Sequence, residues 1–383
     1  MASTSEDTTS RKANPQRDAA FKLVAILAAT VIFLTGALVW ALMKSTTASP
    51  ARAGTLQVSG IDRNYMRETY PHVDFGPLYP NLSGTEIDRL QRESFSIRYI
   101  YEPYVQFRAL PVKTKYVTVT EEGRRERAIP QPWPPQSDDL TIFTFGGSTT
   151  FGHNLLPEET IPALIEQELR PLYPGTNVVV YNFACAYYYS SQERAQFNSL
   201  LERGIRPDVA IFIDGLNDFW NAREYPAYTR TLFNFTSPGV PFPNDPVFET
   251  DEDRRGATEY VIGRYQNNVR LIMGAAQMSG VHAIFVGQPV PHWGYTRTAE
   301  NYPFESRLSK SELAHSGYEH FAAAAINGQF GPNFVWVGDA FRNQSGPMYS
   351  DAVHYSPAGS RLVAKAFVER ADAAGLLPRR APK

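Results

Sequence analysis

From residue 139 onward, short unbroken apolar runs alternate with longer amphipathic stretches. The runs Leu140-Thr141-Ile142-Phe143-Thr144-Phe145, Val178 to Tyr181, Val209 to Ile213, Val281 to Val286 and a shorter one over 333–337 each have the length of a strand. Between them, 158–169, 192–203, 259–277, 311–325 and 358–374 have helical spacing, and Gly375 is placed to end the last helix. Strands without polar alternation, separated by helices, predict an α/β domain over 139–383: a three-layer sandwich whose central, mostly parallel sheet is covered on both faces.

The pattern upstream is different. Residues 1–20 are polar and charged and read as a cytoplasmic tail, and 21–43 as a transmembrane helix. Leu23 to Met43 carries no charged residue, and as a helix it spans about 30 Å, the thickness of a bilayer core. Arg11, Lys12, Arg17 and Lys22 precede it, which favours a cytoplasmic N-terminus and a body outside the cytoplasm, at the inner or plasma membrane. The competing reading is a signal peptide cleaved near Ala51-Arg52-Ala53, but the apolar run exceeds the usual ~7–15 residues. Residues 44–138 read as a tether and a small accessory subdomain. That region is rich in aromatics taken as core (Tyr99, Tyr101, Tyr104, Phe107, Tyr116), contains a β-like run over 115–120, and is closed by the proline cluster of 130–135.

Composition narrows the function. The formal net charge is −2, and without a basic stripe a nucleic-acid partner is excluded. The single cysteine, Cys185, excludes an intrachain disulfide framework and reads as a small buried residue. His153, His282, His292, His315 and His320 lack ligand spacing and read as surface or structural residues, so neither metal nor cofactor is expected.

Three segments carry chemistry. Gly146-Gly147-Ser148 follows the first strand of the α/β domain, Gly215-Leu216-Asn217-Asp218 follows the third, and Asp351-Ala352-Val353-His354 precedes the last helix. A serine on a glycine turn, an amide donor and an Asp-x-x-His pair are the parts that acyl transfer from an ester needs. The G-x-S-x-G pattern of the common α/β-hydrolases is missing, because Thr149 and Thr150 follow Ser148.

In order and spacing these blocks resemble those of the SGNH (GDSL-like) hydrolases over residues 139–374, and the upstream stretch with Tyr101-Glu102-Pro103-Tyr104 is similar to segments that precede the serine in membrane-anchored bacterial members. Gly147 stands at the family's usual aspartate position. The resemblance implies Ser148 as nucleophile and first oxyanion donor, Asn217 as a second donor, His354 as general base and acid, and Asp351 as its orienter. A third donor is the backbone N–H of a glycine after the second strand. Counting from Asn182, Tyr187 occupies that position, or Ala186 if the turn shifts by one.

The resulting expectation is a membrane-anchored serine esterase that acts outside the cytoplasm on an acylated small molecule or glycan, such as an O-acetylated envelope polysaccharide. An O-acyltransferase using the same residues, or an inactive glycan-binding or scaffolding protein, is the alternative. The Phe-containing insertion from Trp220 to Asp253 reads equally as a lid and as a cover for the core.

Overall fold

A computed structural model describes residues 64–222, 229–243, 248 and 250–378. The tail of 1–20, the apolar segment of 21–43, the tether and part of the 220–253 insertion lie outside the described residues. Among the described residues no helix is long and apolar enough to cross a membrane.

The described chain opens with α1 (Tyr65–Thr69) and α2 (Gly84–Phe95). The sequence reading did not anticipate α2. A Ser83–Glu86 capping box starts it, but its buried face mixes Ile87 and Leu90 with Gln91, Glu93 and Ser94, which hides the apolar stripe. Glu93 tolerates burial because it accepts hydrogen bonds from Tyr116 N–H (2.6 Å), the Thr114 hydroxyl (2.8 Å) and Arg89 Nε (2.7 Å). An antiparallel hairpin follows, β1 (Tyr99–Glu102) with β2 (Gln106–Ala109). The short strands β3 (Val112–Lys113), β4 (Thr118–Val119) and β5 (Arg125–Glu126) come next. Only Thr118–Val119 of the expected β-like run is strand, since residues 114–117 form a turn closed by Thr114 N–H to Val117 C=O.

The alternating part runs β6 (Leu140–Gly146), α3 (Ser148–Phe151), α4 (Ile161–Leu169), β7 (Val178–Asn182), α5 (Ser190–Glu202), β8 (Val209–Asp214) and α6 (Leu216–Trp220). It continues with α7 (Arg230–Thr236), α8 (Asp251–Ser279), β9 (His282–Gly287), α9 (Glu312–Ile326), β10 (Phe334–Trp336) and α10 (Pro357–Ala373). α8 begins eight residues before the predicted 259. A Thr250–Asp253 capping box starts it, and its first two turns are mostly polar and lack the rhythm that marks the rest.

The central sheet has the order β10-β9-β8-β6-β7-β5-β4-β3. β6 to β10 are mutually parallel, whereas β3, β4 and β5 extend the sheet antiparallel beyond β7. This corrects the expectation of an accessory subdomain merely packed on the body: residues 112–126 are hydrogen-bonded members of the sheet, joined where Arg125 pairs with Asn182.

Period-2 alternation sorts the strand side chains onto two faces. Leu140, Ile142, Val178, Val180, Val209, Ile211 and Val286 form a cluster with α4, α10, α1 and α2. Phe143, Phe145, Tyr181, Phe212 and Phe285 form another with α5, α8 and α9. Burying each such side chain contributes about 1.5–3 kcal/mol. Helices on both faces of a mostly parallel sheet make the protein an α/β structure.

Candidate active site

β6 lies between β7 and β8, and the chain leaves it first towards one side and later towards the other. Such a switch point opens a crevice at the carboxyl ends of the strands. The turns after β6, β7 and β8 carry Ser148, Tyr187 and Asn217 respectively.

Ser148 is the first residue of α3, half-buried, with Gly147 as the extended N-cap. Gly147 is required by space. A Cβ there would fall well under 3.0 Å from Asn217 Nδ2 and 3.1 Å from Tyr188 O. The glycine therefore lets the serine turn and the Asn217 amide touch. Gly152 closes α3 in the left-handed conformation (φ 88°), with its N–H bonded to Ser148 C=O at 2.9 Å.

Asp351 is buried and fully engaged. Its Oδ1 accepts the backbone N–H groups of Val353 (2.9 Å) and His354 (2.8 Å). Its Oδ2 meets His354 Nδ1 at 2.7 Å and accepts from Asn154 Nδ2 at 3.1 Å. Burial alone opposes ionisation, but His354 and the two N–H donors outweigh it and hold the carboxyl below its usual range. An ionised Asp351 needs a donor at Nδ1, which leaves Nε2 of His354 as the lone-pair nitrogen. That Nε2 is buried and has no hydrogen-bond partner among the described residues.

Two residues that the sequence reading passed over build this corner. Asn154, in the left-handed conformation (φ 63°), ties Asp351 to the segment that follows α3 and also donates to the Ser350 hydroxyl at 3.3 Å. His153, expected as a surface or structural residue, is a buried one. It is 6% exposed and lies almost parallel to His354, with ring centroids 5.0 Å apart at 15°. Phe95 of α2 meets both rings edge-on. Neither His153 nitrogen has a partner among the described residues. Burial, then the neighbouring His354 and Arg125, pushes its pKa well below the ordinary value, so it is neutral. Arg125 lies beneath, donating to the carbonyls of Phe151 (2.9 Å), Gly152 and Leu155 (2.7 Å). The signal for both residues was present in Gly152-His153-Asn154, directly downstream of the serine block.

On the opposite side Asn217 Nδ2 donates to Tyr188 C=O at 2.7 Å, fixing the amide beside Gly147. In the turn after β7, Tyr187 rather than Ala186 has a positive φ, 71°. The N–H groups of Cys185 and Tyr188 are taken by Gly146 C=O and Cys185 C=O. Cys185 itself is buried, and burial pushes its thiol up to about 12. Asp218, next to Asn217, is tied into the interior. It is buried, accepts from the Ser190 hydroxyl at 2.6 Å and lies 3.6 Å from Arg264. Asp214 and Glu193 are buried beside it; burial first, then the neighbouring acid charges, raises both carboxyls well above their ordinary range.

Among the described residues no group of three or more His, Cys, Asp or Glu could hold a metal ion. A cavity of about 520 Å³ lined by Arg254, His292, Arg297, Glu305, Leu308, His315 and Ser316 includes none of the residues above. Of the aromatics read as core, Tyr116 is buried but Tyr101 and Tyr104 are exposed and Tyr99 partly so. The reason is that β1 and β2 form a hairpin of their own outside the main sheet.

A serine at the end of the central strand, an amide held against its turn and an ionised Asp–His pair with a free lone pair define a serine ester hydrolase. No protein-family model matches the chain, and no curated protein matches it. Solved structures similar to it include a psychrotrophic esterase from Pseudoalteromonas sp. (15% identity, 61% of this chain and 98% of that one, TM-score 0.35). Others are a catalytic mutant of an acetylxylan esterase from Geobacillus stearothermophilus (16%, 63% and 97%, 0.39) and a lipase from a goat rumen metagenome (16%, 62% and 98%, 0.40).

Proposed function

We propose that the protein is a membrane-anchored serine ester hydrolase of the SGNH type, working outside the cytoplasm on an acylated carbohydrate of the envelope. The observation that carries the chemistry is the Asp351–His354 pair, with Nε2 buried and unpartnered among the described residues and the ring stacked on His153 of the segment that follows the serine turn. Ser148 Oγ attacks the ester carbonyl while His354 Nε2 takes its proton. The oxyanion is held by the Ser148 and Tyr187 N–H groups and the Asn217 amide. On collapse the alcohol leaves with the proton from His354, and an acyl-enzyme remains. Water, deprotonated by His354, then releases the acid and restores Ser148.

Asp351 orients the imidazole and stabilises the imidazolium, and Asn154 orients Asp351. Anchoring and location rest on the charge-free run Leu23 to Met43 and the basic residues before it. The deciding experiment compares hydrolysis of p-nitrophenyl acetate by the full chain in detergent with that by Ser148→Ala, alongside fluorophosphonate labelling. Turnover and labelling that both vanish in the variant are expected. A folded wild-type chain that neither turns over nor labels would overturn the reading.

A further inference from the structure

Four non-glycine residues among those described have positive φ: Tyr104 (64°), Gln106 (83°), Asn154 (63°) and Tyr187 (71°). For a bulky side chain this conformation is strained, and such strain persists where the side chain has a use. Asn154 has one, in holding Asp351. At Tyr187 a glycine would give the same backbone without strain, so the strained tyrosine points to a use for its side chain. That side chain is not part of the core: Tyr187 is 58% exposed.

Rings from the N-terminal region continue the surface around it. Tyr99 meets Tyr187 edge-on at 5.9 Å and rests on Phe107 at 5.4 Å. Tyr65, 53% exposed, lies within electrostatic reach of Tyr187 and packs on Phe95 at 5.0 Å. Phe95 in turn contacts His354 at 5.9 Å. Aromatic rings thus flank both the imidazole, through Phe95 and Tyr65, and the turn of Tyr187, through Tyr99 and Phe107.

We propose that Tyr187 and Tyr99, with Tyr65 beside them, form the subsite for the alcohol half of the substrate, and that this half is a pyranose ring. The inference rests on the ester-hydrolase reading and adds to it the residues that select the substrate. The subsite is open to solvent, which suits the leaving group rather than the acyl group. Its exposed members are all tyrosines, which offer a flat apolar face to sugar C–H groups and a hydroxyl to sugar hydroxyls. An aliphatic alcohol would use only half of that chemistry.

The test compares kcat/KM of the full chain in detergent for a monoacetylated methyl glucopyranoside, ethyl acetate and p-nitrophenyl acetate, in wild type, Tyr99→Ala and Tyr187→Ala. The expected result is at least a tenfold fall in the sugar-ester to ethyl-acetate ratio in both variants, carried by KM. An unchanged ratio, or a loss confined to p-nitrophenyl acetate, would overturn the subsite. Equilibrium binding of the acetylated glucoside to Ser148→Ala, with and without Tyr99→Ala, tests the subsite independently of turnover. At least tenfold weaker binding is expected without the Tyr99 ring, and equal or undetectable binding in both proteins would overturn it. Wild-type protein inert towards all three esters would instead count against the hydrolase reading.

Discussion

Gly147→Ala is the sharpest probe of how the oxyanion donors are held. The backbone at Gly147 (φ −84°, ψ −157°) suits any residue, so the substitution adds no backbone strain. Its whole effect comes from one methyl group placed well under 3.0 Å from Asn217 Nδ2, with Asn217 Cγ at 3.3 Å and Tyr188 O at 3.1 Å. The backbone oxygen resists displacement, so the Asn217 amide moves and breaks its 2.7 Å bond to Tyr188 C=O. Losing that bond costs about 1 kcal/mol of stability. Losing the donor at the oxyanion lowers kcat by about 10²–10³. The assay is p-nitrophenyl acetate turnover with thermal unfolding measured alongside, so that misfolding is recognised. Asn217→Ala should produce a similar loss. Because one donor can be removed only once, the double variant should fall no further, rather than by the product of about 10⁴–10⁶. A Gly147→Ala enzyme within about threefold of wild type, or a multiplicative double variant, would refute this account of the turn.

Two further predictions concern buried titratable groups. Burial, and then Asp214 and Asp218, raise the Glu193 carboxyl well above the ordinary 4.5 in the fold. The unfolded chain holds fewer protons above that value, so stability falls as pH rises through the window from 4.5 to the raised folded value, by up to about 1.4 kcal/mol per pH unit for one proton. Glu193→Gln should flatten this slope in denaturant titrations above pH 4.5, and an unaltered slope would count against the assignment. His153 is the opposite case. It stays neutral in the fold while the unfolded ring gains a proton below 6.5, so stability falls as pH drops below that value. His153→Phe, which keeps a flat ring against His354 and removes both unpartnered nitrogens, should lessen the acid loss seen in thermal melts. The same steepness in the variant would show that another group is responsible.

How much of this was legible beforehand depends on how each residue is used. The strands β6 to β9 are buried on both faces and therefore read as unbroken apolar runs, placed to within a residue or two. α2 escaped because its inner face mixes Ile87 and Leu90 with Gln91, Glu93 and Ser94, and the burial of Glu93 depends on partners such as Tyr116 and Thr114 that no periodicity reveals. β3 to β5 escaped because two-residue strands carry no pattern, and their place in the sheet is decided by the partner strand β7. At the site, Ser148, Asn217, Asp351 and His354 were visible as short blocks with fixed chemistry. Asn154 and His153 were not, since their roles exist only once the segment after α3 meets residues 350–354. Tyr187 was placed by counting, and its positive φ is a three-dimensional fact.

The separation of the serine from its base along the chain also sets when the site comes into being. Ser148 leaves the ribosome roughly 10–40 s before His354 at ordinary rates of synthesis. Until then the proposed nucleophile has neither imidazole nor carboxylate, and Asn154 lacks Asp351. β5 likewise waits for β7 before its edge is covered. On the proposed mechanism the chain is therefore chemically inert through nearly all of its production, and the last turn before α10 is what switches it on. Truncation just upstream of Asp351 should leave a chain with no background hydrolysis.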